Sequence, residues 1–260
     1  MSIELYNDGE HVCTMFSDLV DDNAAAVQAN QFLIVSNGEG ALIDPSGNMT
    51  YNGLIVGMGQ YFPYKRLKYL LASHADPDIV GSLNKWMMST DADLYVSSLW
   101  SRFVPHFCTG DKTDGRIVGI PDKGMSIPLG KDQIIAVPAH FLHAEGNFQF
   151  YDPRARMLFS GDMGASMVHH DAVPEPITTL SEFKAHIQHM QAFHQRYMVS
   201  SKICRYWVNM VRDMDVLAIV PQHGRWFKGK VAVNAFLDWI ATLDCGIDRF
   251  SQSDYVALGK

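Results

Sequence analysis

The chain has 260 residues, 47% of them apolar and 19% charged, with a formal net charge of −7. That length and apolar content exclude a disordered chain and suffice for a sizeable buried core, while an acidic balance without a basic stripe makes nucleic acid and anionic membrane poor candidates as partners. No apolar run reaches the roughly 18 residues of a membrane span, and the polar, acidic start MSIELYNDGEHV lacks the basic and apolar regions of a signal peptide, so a cytoplasmic protein is expected.

In chain order, QFLIVSNGEGALIDPS (31–46) reads as two β-runs around an Asn-Gly-Glu-Gly turn, a hairpin signal. LIVGMGQYF (54–62) has helical spacing of apolar residues, LKYLLAS (67–73) is a short apolar run expected as a buried strand, and PDIVGSLNKWMMST (77–90) reads as a helix with Pro77 near its start. ADLYVSS (92–98) is a further strand. In the second half, 133–139, 147–153 and 156–162 are strand candidates, 180–198 and 201–214 are helices, 215–224 is a strand running into a loop, and 231–243 is a closing helix. This alternation predicts α/β architecture with sheets covered by helices. No Pro- or Ser-rich linker interrupts it, so residues 1–260 are expected to form one domain. Cys13, Cys108, Cys204 and Cys245 are scattered without a C-x-x-C pair, which predicts reduced, mostly buried thiols.

The chemistry-bearing residues fall where strands end. His74 and Asp76 follow strand 67–73, and Asp78 lies at the start of the next helix. His143 follows 133–139 after a short loop, Asp162 ends 156–162, and His223 follows 215–220. Strand ends are where α/β folds assemble sites. Taken singly, Asp76 and Asp78 also read as helix-start caps, Asp162 as a turn aspartate, and His74 and His223 as loop histidines. The ordered set of six is what carries a metal reading. Carboxylates among the histidines add charge and hard oxygen. That suits iron cycling between its ferrous and ferric states better than a nitrogen-rich zinc hydrolase site, although zinc or manganese would fit the same donor set.

The motifs SHADPDIVGSL, AHFLHAEGNFQFYD, LFSGDMGAS and IVPQHGRWF, spanning about residues 30–230, resemble the metallo-β-lactamase-like domain of flavodiiron proteins. They are most similar to the subgroup of oxygen-binding diiron proteins, which have that domain without a flavodoxin. The resemblance implies a four-layer αβ/βα sandwich and a centre of two iron ions. His74, Asp76 and His143 would hold one iron, Asp78 and His223 the other, with Asp162 shared. The family usually has glutamate where Asp76 stands, and often histidine where Ile79 stands. An isoleucine there implies an open coordination position lined by an apolar neighbour.

Either His140 or His143, three residues apart, could be the ligand; the place of His143 directly before the next strand, as in the family, favours it and leaves His140 as a candidate for the pocket behind the ligands. His169 and His170 read as a loop pair, His186, His189 and His194 as surface residues of a helix, and Tyr197 and Trp226 as packing residues. No Gly/Thr-rich stretch that would cradle FMN and no rubredoxin-type cysteines are expected in this chain. Two functions therefore follow. The first is an oxygen-binding or sensory module for dioxygen or NO, read by a signalling partner. The second is an O2 or NO reductase served by an external redox protein. A metal-dependent hydrolase is a third and weaker reading, and homodimer formation is a further expectation.

Overall fold

The computed structural model describes residues 1–20, 26–109 and 111–257. Strands β1 (Ser2–Asn7), β2 (His11–Phe16), β3 (Gln31–Ser36), β4 (Glu39–Ile43), β5 (Leu67–Leu71), β6 (Asp93–Ser97) and β7 (Ile117–Ile120) form a seven-stranded sheet in chain order. Its first four strands run antiparallel and β4 to β7 run parallel. Parallel neighbours need crossovers. These are supplied by α1 (Tyr51–Met58) between β4 and β5, and by α2 (Pro77–Val80) and α3 (Leu83–Ser89) between β5 and β6.

The second sheet has six strands: β8 (Met125–Leu129), β9 (Asp132–Pro138), β10 (Phe148–Asp152), β11 (Met157–Phe159), β12 (Ala218–Val220) and β13 (Phe227–Lys228), in the order β13-β12-β11-β10-β9-β8. Helices α4 (Leu180–Tyr197), α5 (Ser201–Arg212) and α6 (Lys230–Thr242) cover its outer face.

The period of two along the strands builds the layers. In β3, Phe32 and Ile34 point into the space between the sheets, while Leu33 points at α1 and α3. The inter-sheet core joins Phe32 to Phe159 of the opposite sheet, ring centroids 4.9 Å apart. Leu158 and Ile219 face the other way, onto Trp207 and Phe236 of α5 and α6. The result is the helix–sheet–sheet–helix sandwich expected from the sequence.

Two expectations are corrected. The single helix over 77–90 is broken at Gly81–Ser82, because Ser82 turns aside to donate from Oγ to the carbonyls of Pro45 (3.0 Å) and Ser46 (2.7 Å), and from its backbone N–H to Ser46 (3.1 Å). Strands β1, β2, β7, β8 and β13 extend both sheets beyond the runs read as strands. Among the described residues, no helix is long and apolar enough to cross a membrane.

Candidate metal centre

Strands β9, β11 and β12 point the same way, since β10 is antiparallel to both β9 and β11 and β12 is parallel to β11. Their C-terminal ends therefore share one rim, which carries His143, Asp162 and His223. The C-terminal end of β5, in the other sheet, brings His74, Asp76 and Asp78 to the same place. Cross-sheet hydrogen bonds hold the rims together. Phe148 N–H donates to the Ser73 carbonyl (2.8 Å), and the Asn30 side chain donates to the carbonyls of Pro221 (3.0 Å) and Gly224 (3.1 Å).

Each ligand candidate is set by its local chain. Asp44, buried at the end of β4, accepts the Ser73 N–H at 2.9 Å and so fixes the turn before His74. Burial pushes the Asp44 carboxyl up to about 6. Asp76 is the N-cap residue of α2, with Pro77 in the first helical turn. His143 sits in a loop closed by Phe141 N–H to the Ala144 carbonyl (2.7 Å) and by the Asn147 side chain donating to Leu142. The Asp162 turn depends on Gly164, whose φ of +99° is in glycine's region and where a Cβ would stand 3.0 Å from the Phe227 ring. Gly224, after His223, has φ +76° and would put a Cβ 2.0 Å from Ser166 Oγ.

The six side chains converge. Asp162 Oδ2 lies 2.8 Å from His143 Nε2 and 3.6 Å from His74 Nε2, and Asp76 Oδ2 lies 3.3 and 3.6 Å from the same nitrogens. The other oxygen, Asp162 Oδ1, lies 3.4 Å from His223 Nε2, which is also 3.4 Å from Asp78 Oδ2. One ligand atom from each of His74, Asp76, His143 and Asp162 falls within 4.8 Å of all the others. His223 donates from Nδ1 to the Gln28 carbonyl at 2.7 Å, which leaves Nε2 facing the cleft, and Ser73 Oγ lies 3.0 Å from His74 Nδ1. Gln222 donates to Asp78 Oδ2 at 3.3 Å.

Two atoms test whether this set fits a cation. His74 Nε2 and Asp162 Oδ1 are buried without a hydrogen bond, and both point into the cluster. Buried polar atoms left unpaired are costly unless something else satisfies them. A metal bound by both does so. Electrostatics agree. Burial opposes the charge on His74, His143 and His223, yet the neighbouring carboxylates, Asp162 foremost, raise them to about 10, 9 and 10. Burial also opposes the charge on Asp162, and the three histidines hold it well below the ordinary carboxylate range. His143 and His74 likewise hold Asp76 below that range.

Other candidates lie elsewhere. His140 turns its Nε2 to the Asp122 carbonyl (2.8 Å) and its ring edge to Phe148, outside the ligand cluster. Ile79 is fully buried in the apolar layer between the first sheet and its helices, with Leu83 and Val104, so it does not line the cleft. Its place on α2 directs it inward because Asp78 occupies the cleft side. His169 is exposed, as expected of a loop residue, and the side chain of His170 lies outside the described residues. Trp226 packs in the inter-sheet core.

His186 and His194 are buried, contrary to the surface expectation, and only His189 of that helix set is exposed. His194 accepts the Gly164 N–H at Nε2 (2.9 Å) and donates from Nδ1 to the Met190 carbonyl (2.9 Å). Burial lowers it to about 4, so it stays neutral and steadies the Asp162 turn. Phe193 and Tyr197 stack on each other at 4.6 Å, and Tyr197 meets the His143 ring edge-on at 5.5 Å. The signal for the buried histidines was present: Phe183, His186, Met190 and His194 recur at three- and four-residue spacing, one helical stripe. A cavity of about 560 Å³ opens on Asp76 and His143 between Trp100, Phe103, Val104 and Phe107.

A family model described as ODP family beta lactamase matches residues 27–224. Among solved structures, one described as the peroxy diiron species of the chemotaxis sensor ODP is 36% identical, with a TM-score of 0.84, covering 98% of this chain and 99% of that one. The apo state of the chemotaxis sensor ODP from T. denticola is also 36% identical, with a TM-score of 0.81 and the same coverage. A variant of the flavo di-iron protein from Thermotoga maritima, 18% identical with a TM-score of 0.76, shares the fold over 93% of this chain and 60% of its own. A curated relative, an uncharacterised protein of Methanocaldococcus jannaschii, is 22% identical over 201 residues, and the chain spans about half its length.

Proposed function

The chain belongs to the ODP family of beta-lactamase-like proteins, and from that premise we propose that it is a non-haem diiron protein that binds dioxygen, or NO, as a sensory module. His74, Asp76 and His143 would hold one iron and Asp78 and His223 the other, with Asp162 placed to serve both. The observation that carries this reading is the two-sided presentation of Asp162, Oδ2 toward His74 and His143 and Oδ1 toward His223. Bridged metal pairs lie about 3.5–4 Å apart, and a shared carboxylate offsets charge on both. When bound, iron supplies the reversible electron exchange that dioxygen binding requires. The chain's own residues orient the candidate ligands, leave the Asp76 and His143 side open to the cavity, and keep the His194-anchored turn in place.

The cavity walled by Trp100, Phe103 and Phe107 favours a second reading. It gives an external redox protein or a small ligand an approach to the Asp76 and His143 side, as an O2 or NO reductase would need. Residues 1–260 are proposed to act as one domain, as a homodimer, with a signalling or redox protein as partner. Light scattering at micromolar concentration tests the dimer, and a monomer there refutes it.

The central experiment is iron loading under reducing, anaerobic conditions, then metal analysis and an optical spectrum before and after dioxygen. The expected result is two irons per chain and a visible absorption that forms on exposure and persists. Continuous dioxygen consumption with added reductant supports the reductase instead. Absence of bound iron overturns both.

A further inference from the structure

At the other end of the sandwich lies a second convergence of donor atoms. Asp152 ends β10, which runs opposite to β9 and β11, so it sits at the rim away from His143 and Asp162. There His11 Nε2 is 2.6 Å from Asp152 Oδ2, Cys13 Sγ is 3.3 Å from that oxygen, and Sγ is 3.7 Å from His11 Nε2. All three residues are buried between the sheets, at 1% exposure or less. One nitrogen, one sulfur and one oxygen thus meet within 4.8 Å in a dry environment.

We propose that His11, Cys13 and Asp152 form a separate binding site for a thiophilic divalent transition ion of the zinc class. Three observations support it. First, the donors match. Metal–ligand bonds of about 2.0–2.3 Å in a tetrahedral site put neighbouring donor atoms roughly 3.2–3.8 Å apart. Both sulfur distances already lie in that range, and only the His11–Asp152 pair, at 2.6 Å, must open, by roughly 0.6–0.8 Å for N and O donors.

Second, each ligand is oriented from behind. His11 Nδ1 lies 3.0 Å from Asp132 Oδ2, the carboxylate–histidine pairing that sets a metal-binding imidazole. The other oxygen of Asp152, Oδ1, accepts the N–H groups of Arg154 (3.0 Å) and Ala155 (3.1 Å), leaving Oδ2 to the cluster.

Third, the exchange conserves charge. With both ring nitrogens facing carboxylates, His11 carries two protons, and the Cys13 thiol donates to Asp152. Binding a divalent ion expels the Nε2 proton and the thiol proton. Two positive charges leave and two arrive, and no group is oxidised or reduced, so a buried site takes the ion without a net change of charge. On the solvent side of His11, Asp132 lines a surface cleft of about 420 Å³ with Lys131, Gln133, Pro153 and Arg154.

Cobalt(II) separates this site from the other. The His74–Asp162 set contains no sulfur, so thiolate-to-cobalt absorption in the near ultraviolet cannot come from it. The metal-stripped chain titrated with cobalt(II) is expected to develop that band as one equivalent binds. Cys13→Ser is expected to lose the band and one equivalent, while Cys204→Ser keeps both. Cys13→Ala serves if the serine variant does not fold. Titration of the wild-type chain without a thiolate band overturns the proposal, and so does a band that survives either Cys13 substitution.

Discussion

Asp162 offers one oxygen to His143 and His74 and the other to His223, so its removal leaves two half-sites with no shared ligand. Asp162→Ala is therefore expected to lose most of the bound metal, measured by elemental analysis after gel filtration, and retention of two metals per chain counts against the bridge. The same contacts set a pH dependence. His74, His143 and His223 are raised to about 10, 9 and 10, so in the metal-free chain they are protonated at neutral pH. A raised histidine stabilises the fold below its unfolded value near 6.5, and that contribution is lost as pH rises through about 9–10. A metal must displace those protons, so its affinity should rise with pH, by up to about tenfold per unit for each proton released. Competition with a chelator at pH 6 and pH 8 measures this, and equal affinities contradict it. Ile79 shows where reading the residues alone reaches its limit. The motif places it beside Asp78, but one residue along a helix is about 100° of rotation, and that turns it into the core. Ile79→His buries an imidazole among Leu83 and Val104 and should cost about 3 kcal/mol. Denaturant melts check it. Unchanged stability with an altered dioxygen spectrum would place the side chain in the cleft after all.

At the scale of elements, helix α4 carries more of the site than its sequence advertises. Its polar residues read as solvent-facing, yet the stripe through Phe183, His186, Met190 and His194 packs inward, and its last turn brings Phe193 and Tyr197 to His143. Tertiary context places a histidine that composition alone sends to the surface. The start of α4 is legible from sequence: Thr179 and Glu182 form a capping box, with Glu182 N–H donating to Thr179 Oγ1 at 3.2 Å and Thr179 N–H to Glu182 Oε2 at 2.9 Å. Thr179→Ala should cost about 1 kcal/mol, lowering Tm by roughly 2–4 °C in a chain of this size. Differential scanning calorimetry reads the shift, and no shift indicates that packing alone holds the first turn. The break between α2 and α3 was hidden for a different reason. Ser82 bonds to Pro45 and Ser46, residues 37 and 36 positions earlier, and no local pattern encodes such a partner.

Across the whole molecule, the interior strands other than β2 were readable, β3, β4, β5, β9 and β10 being short apolar runs bounded by turns. The edge strands were not. Gly119 in β7 and Pro128 in β8 are poor strand residues tolerated at or near a sheet edge, and β13 has two residues. The convergence of the six candidate residues was readable because they follow strand ends, and their supports, such as Gln28, Asn30 and Gln222, were not, because these act across the sandwich. That division would give metals bound there a structural part. His74, Asp76 and Asp78 come from the first sheet, and His143, Asp162 and His223 from the second, so ions held by both sets tie the sheets together beside the Ser73–Phe148 and Asn30 hydrogen bonds. An unfolded chain cannot hold the six ligands together, so binding stabilises the native state alone. At free metal a hundredfold above Kd, each ion contributes about 2.7 kcal/mol, or about 5 kcal/mol for two. At roughly 2–4 °C per kcal/mol, Tm should rise by roughly 10–20 °C on loading. Anaerobic thermal melts of chelator-treated and iron-loaded protein, followed by circular dichroism, test this, with Asp162→Ala as the variant expected to lose most of the gain. Equal melting temperatures for the loaded and stripped forms would mean that the sheets close the site without the metals, and that the ligands do not span them as one unit.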